Sequence, residues 1–141
     1  MIYLCDVNVW LAFTNATHQH HAIAKRWFAE SPDDPVAFCR ITQNGLLRLL
    51  TNPRVMGSDV LTAPEAWAIY DDLFQTGRVH FASEPPGIEL AWREATRDRQ
   101  SGPNFWTDAY LAAFAIAAGY TVVTFDRGFQ RHKSARLRLL S

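Results

Sequence analysis

At 141 residues the chain is about the size of one domain and long enough to bury a core. A hydrophobic fraction of 48% against 20% charged residues excludes a disordered chain, and the longest apolar run, residues 109–118, is too short to span a bilayer. The formal net charge of zero excludes a general, charge-driven affinity for nucleic acid.

Strand-like residues begin straight after Met1, so no segment reads as a signal peptide. Cys5 and Cys39 lie in or beside apolar stretches and read as core thiols of a cytoplasmic protein, with no disulfide framework. Charge is unevenly placed. Residues 127–138 hold Arg127, Arg131, Lys133, Arg136 and Arg138 without an acid. An acidic body with a basic tail can bind an anion or an acidic partner, or the tail is simply solvated.

The first element is an apolar run, residues 2–5, that reads as a buried strand and stops at Asp6. Residues 8–15 read as a short helix and residues 18–30 as a second, with Ala22, Ile23, Trp27 and Phe28 at helical spacing. Two prolines in SPDDP stop it, and residues 36–39 form a short strand. Thr42 can cap a third helix whose stripe is Gln43, Leu46, Leu47 and Leu50, ended by Asn52-Pro53. Residues 53–61 read as loop. Thr62 and Glu65 make a capping box for a helix to about residue 76, and residues 78–82 alternate as a strand. A helix around Ile88, Ala91, Trp92 and Ala95 follows, then a polar loop over 98–105. Thr107 caps an apolar helix over 108–118, closed by Gly119. A β-branched strand over 121–125 ends at Asp126, and a last strand is expected at 137–140. Strands alternating with helices give a mostly parallel sheet covered on both faces, in a single domain over residues 1–141.

Two strands therefore end alike, at Asp6 and Asp126. If they are parallel in one sheet, both carboxylates emerge at its C-terminal edge, where open α/β sheets bind ligands. Asp108 opens the helix before the second of these strands. Crowded carboxylates repel unless a cation neutralises them, and Mg²⁺ or Mn²⁺ suits an all-oxygen site. Spacing alone leaves open a competing reading, in which Asp108 favours a helix dipole and Asp126 shapes a turn.

The patterns DVNVWLAF, TQNGLLRLLTNPR and TDAYLAAFAIAAGYTVVTFDRGF, in this order over nearly the whole chain, resemble PIN-domain ribonucleases, specifically VapC-type toxins of toxin–antitoxin pairs. The resemblance implies an α/β three-layer sandwich around a mostly parallel sheet. It implies a Mg²⁺- or Mn²⁺-dependent endoribonuclease acting on structured RNA such as tRNA or rRNA, a homodimer, and a VapB-type antitoxin. Asp6, Asp108 and Asp126 match three of the family's acids. The family usually carries Glu in the segment that reads TQNG here, and this chain has Gln43. Gln keeps a carbonyl oxygen but loses the charge and cannot act as a base. A weakened or silent RNA- or antitoxin-binding module is the alternative function.

Asn8 and Thr124 stand beside the key acids and can orient a carboxylate or a water. With the acids adjacent, Arg127, Arg131 and Lys133 become candidate RNA-backbone contacts. His18 and His21 share a helix face, but no further ligand at zinc spacing accompanies them, so they read as helix-start residues. Glu65 is accounted for by its capping box. The five tryptophans read as core or interface residues.

Overall fold

The computed structural model describes residues 1–98 and 102–141; part of the predicted 98–105 loop lies outside the described residues. Five strands form one sheet: β1 (Tyr3–Cys5), β2 (Val36–Phe38), β3 (Val79–Phe81), β4 (Thr121–Thr124) and β5 (Arg136–Leu139). Every pairing is parallel, and the spatial order is β3-β2-β1-β4-β5. From the central β1 the chain builds outward through β2 to β3, then crosses to β4 and β5 on the other side. The order reverses between β1 and β4, and a crevice opens at the carboxyl ends of strands at such a switch point. Asp6 follows β1 and Asp126 follows β4.

Side chains alternate across the strands and divide the core between two faces. Cys5, Val36, Phe38 and Val123 pack with helices α1 (Val7–Thr14), α2 (His21–Glu30), α3 (Arg40–Leu50) and α5 (Ala63–Phe74). On this side Trp10 stacks on Phe38 at 4.0 Å between ring centroids. Leu4, Ala37 and Val122 point the other way, against α6 (Ile88–Ala95) and α7 (Phe105–Ala118). The result is the expected three-layer α/β sandwich.

Element boundaries differ from the sequence expectation chiefly at four places. Helix α2 begins at His21 with His20 as its N-cap, so His18 precedes the helix and shares no helix face with His21. Helix α3 begins at Arg40: Cys39 is its N-cap, and Thr42 sits at the third helical position, where its Oγ1 accepts from the Cys39 N–H at 3.0 Å. The expected 53–61 loop contains a helical turn, α4 (Pro53–Met56), because the Asn52 side chain caps Arg54 N at 2.9 Å and Pro53 is suited to a first helical position. Helix α7 starts at Phe105, so Thr107 lies within it instead of capping it. The predicted capping box at Thr62 and Glu65 is present. Among the described residues no helix is long and apolar enough to cross a membrane.

Candidate active site

Asp6 is 6% exposed and held by three bonds. Its N–H donates to Val123 O (2.8 Å), its Oδ1 accepts from Val7 N (2.7 Å) and its Oδ2 accepts from the Thr124 hydroxyl (2.9 Å). The side chain thus caps α1 and ties β1 to β4. Burial pushes the Asp6 carboxyl up from its ordinary range; the Thr124 and Val7 bonds pull it down, and the charge of Asp126 raises it further.

Thr124 links the acids. While donating to Asp6, its Oγ1 accepts from Asp126 N at 3.0 Å and from Asn8 Nδ2 at 3.3 Å, and Asn8 Oδ1 accepts from Phe125 N at 3.4 Å. Asn8 and Thr124 therefore brace the two strand ends. The half-buried Asp126 turns its Oδ1 back to Gly128 N at 2.8 Å, so it also caps the short 3-10 turn at Arg127–Arg131.

Helix α7 runs back toward the start of β4, which brings its first turn to the same sheet edge. Asp108 is in that turn, 5% exposed, with Arg131 Nη2 3.5 Å from its Oδ2. Its carboxyl is pushed up to about 7, first by burial and then by the charges of Asp6 and Asp126, against the pull of Arg131. Asp108 thus lies within reach of the charges of both Asp6 and Asp126, and Asp6 within reach of that of Asp126.

Beside Asp6 lies a cleft of about 290 Å³, walled by Thr42, Asn44, Gly45 and Arg48 of α3 and by Asn104 and Thr107 at the start of α7. Gln43 is not on this wall. Its Oε1 accepts from Arg40 Nη1 at 2.5 Å. The α3 face turned to the cleft is set where Gly45 crosses Val7; a Cβ on Gly45 would stand 3.0 Å from Val7 Cγ2. The sequence reading missed Arg40, Asn44 and Arg48, although their spacing of four already put them on one helix face.

Arg127 and Lys133 are exposed, and neither lines the Asp6 cleft; Lys133 lies in a separate hollow with Glu94, Asp98 and Ile116. The His20 ring stacks on Phe125 at 4.8 Å, and His21 Nδ1 lies 2.8 Å from Ala12 O, so these histidines do structural work. Among the described residues no three His, Cys, Asp or Glu side chains converge into a finished metal cage. Hard carboxylate oxygens at Asp6, Asp108 and Asp126 still suit a hydrated Mg²⁺ or Mn²⁺, which needs only one or two protein ligands.

Residues 3–134 match the PIN domain family. The chain belongs to it. Ribonuclease VapC41 of Mycobacterium tuberculosis is 42% identical over 98% of each chain, and Ribonuclease VapC39 of the same organism is 36% identical over 97% of each. Among solved structures, VapBC2 from Rickettsia felis bound to a promoter DNA fragment shares the PIN fold with a TM-score of 0.74 at 18% identity, covering all of both chains. Mycobacterium tuberculosis VapC20, described as a Sarcin-Ricin loop cleaving toxin, gives a TM-score of 0.67 at 25% identity over 93% of this chain and 94% of its own. The chain is thus a PIN-domain protein of the VapC ribonuclease type.

Proposed function

We propose that this PIN domain is the toxin of a VapBC-type pair, an endoribonuclease that hydrolyses phosphodiester bonds in structured RNA with Mg²⁺ or Mn²⁺. The observation that supports the reading is that Asp6 and Asp126 leave neighbouring parallel strands at the β1/β4 switch point, joined through Thr124, and that the charges of both push the Asp108 carboxyl up. One or two of these carboxylates would ligate the ion directly and the others would act through its waters. Once bound, it would activate a water and offset negative charge on the phosphate. Thr124 and Asn8 keep the Asp6 carboxylate oriented without adjustment during the reaction. Asp108 of the metal-free protein exchanges its proton near neutral pH, within the range useful to an acid or base. The guanidinium of Arg131 offsets part of the crowded negative charge.

A VapB-type antitoxin is the proposed partner, a proposal the VapBC neighbours support, and a homodimer is the proposed assembly. Leu90, Trp106 and Ile116 are exposed at 77%, 63% and 45% on α6 and α7, apolar surface of the kind that protein partners cover. A second reading, a catalytically silent RNA- or antitoxin-binding module, is favoured by the absence of a finished cage among the described residues and by the engagement of Gln43 with Arg40. Incubation of the pure protein with total RNA separates the two. Fragments that form with Mn²⁺ and disappear with EDTA support the ribonuclease. RNA that stays intact in both supports the silent module.

A further inference from the structure

A larger hollow adjoins the Asp6 cleft. Ile41 and Asn44 line both the cleft and this open hollow of about 780 Å³, which is also walled by Arg40, Phe81, Glu84 and Tyr110. Three of its features are those of a site for a flat, hydrogen-bonding group. The Arg40 guanidinium lies over the Phe81 ring, 4.6 Å from the centroid, and its Nη1 is pinned by Gln43. A guanidinium plane held in this way offers its open face to a stacking base. The Glu84 carboxylate is fixed by the Tyr110 hydroxyl, which donates to Oε2 at 2.6 Å, while among the described residues Oε1 receives no hydrogen bond. Asn44 stands where the two spaces join and offers a further amide.

We infer that this hollow is a nucleobase subsite of the RNA cleft, in which an unpaired base stacks on Arg40 and presents Watson–Crick edge donors to Glu84. The inference rests on the ribonuclease reading for its ligand and deepens it. A carboxylate rewards bases that donate and penalises those that present acceptors. Guanine, with adjacent imino and amino donors on that edge, is the preferred occupant, and uracil, with a carbonyl flanking its single imino donor, is disfavoured. A base in a duplex is stacked and paired, so the occupant comes from a loop, a bulge or a single strand. Gln43 acquires a part here as a positioning residue: it holds Arg40 flat on Phe81 without neutralising its charge.

The test is fluorescence anisotropy with 5′-labelled RNA hexamers, all-uridine or carrying one guanosine at each position in turn, in EDTA so that the RNA stays whole. Wild-type protein is expected to bind at least one guanosine-containing hexamer about tenfold more tightly than the all-uridine hexamer. In Glu84→Gln this preference disappears, the guanosine hexamer losing affinity relative to all-uridine, because the neutral amide no longer rewards donors or penalises acceptors. Arg40→Ala weakens every hexamer. Glu84 and Arg40 are both exposed, and unchanged melting temperatures confirm that the variants fold. Equal affinities for all hexamers, retention of the preference in Glu84→Gln, or no measurable binding would each overturn the subsite. Failure of the ribonuclease reading is seen separately: a guanosine preference that Glu84→Gln removes, in a protein that leaves RNA intact with Mn²⁺, keeps the subsite and removes the catalysis.

Discussion

In the metal-free protein, ionising Asp108 places a charge beside Asp6 and Asp126 in a nearly closed space. Its folded-state pKa of about 7 exceeds the ordinary carboxyl value of about 3.9. Between those values the folded chain keeps a proton that the unfolded chain releases. The favourable contribution of protonated Asp108 is complete below about pH 4 and is lost as pH rises through 7. Without metal, the melting temperature should therefore fall by several degrees from pH 5.5 to 8, and Asp108→Asn should flatten that slope; an unchanged slope in the variant places the titration elsewhere. Mn²⁺ should stabilise more at pH 8 than at pH 5.5, because metal and proton compete for the same oxygens. Gln43 allows a second test at this scale. A carboxylate at this position would face Arg40, so Gln43→Glu should leave Mn²⁺ affinity within about twofold, and tightening by tenfold or more would bring residue 43 to the ion after all.

Elements differ in how far their own residues specify them. The α5 start is local: Thr62 Oγ1 accepts from Glu65 N, and Glu65 Oε1 accepts from Thr62 N, at 3.3 and 3.0 Å. Thr62→Ala should cost about 1 kcal/mol of stability in urea unfolding and leave RNA cleavage unchanged. Such short-range signals made this helix legible in the sequence. Strands β1 and β4 were legible for a related reason, since an apolar run ending in an acid marks both the strand and its exit. Starts of α3 and α7 were less so: the N-cap Asn104 makes no side-chain cap bond to α7, and the Cys39 start depends on Thr42 reaching back. Which α3 residues face the cleft was not legible, because the crossing of Gly45 over Val7 joins parts of the chain far apart in sequence. Asp108 was placed by resemblance more than by pattern, since an acid in a helix's first turn has an ordinary dipole explanation.

At the scale of the whole molecule, the parallel pairing of β1 with β4 brings Asp6 and Asp126, far apart in sequence, to the same edge of the sheet. The net charge of zero coexists with cationic side chains at separate places: Arg48 in the Asp6 cleft, Arg40 in the neighbouring hollow, Arg127 next to Asp126, and Lys133 in a hollow it shares with Glu94 and Asp98. RNA binding should weaken linearly on a log–log plot against salt. Replacing Arg127 and Lys133 together by Ala should reduce that slope by roughly one to two; an unaltered slope removes the tail from the RNA path. The central claim is that the switch-point carboxylates are the hydrolytic centre, and the most direct measurement is Mn²⁺-dependent RNA cleavage by Asp6→Asn. Asparagine keeps one acceptor oxygen that can still cap α1 at Val7 N, and its Nδ2 can donate to Thr124 Oγ1 where Asp6 Oδ2 accepted, so the fold is retained while the charge is lost. Cleavage should fall by at least about a hundredfold with the melting temperature nearly unchanged. Cleavage at the wild-type rate by the folded variant would contradict the account.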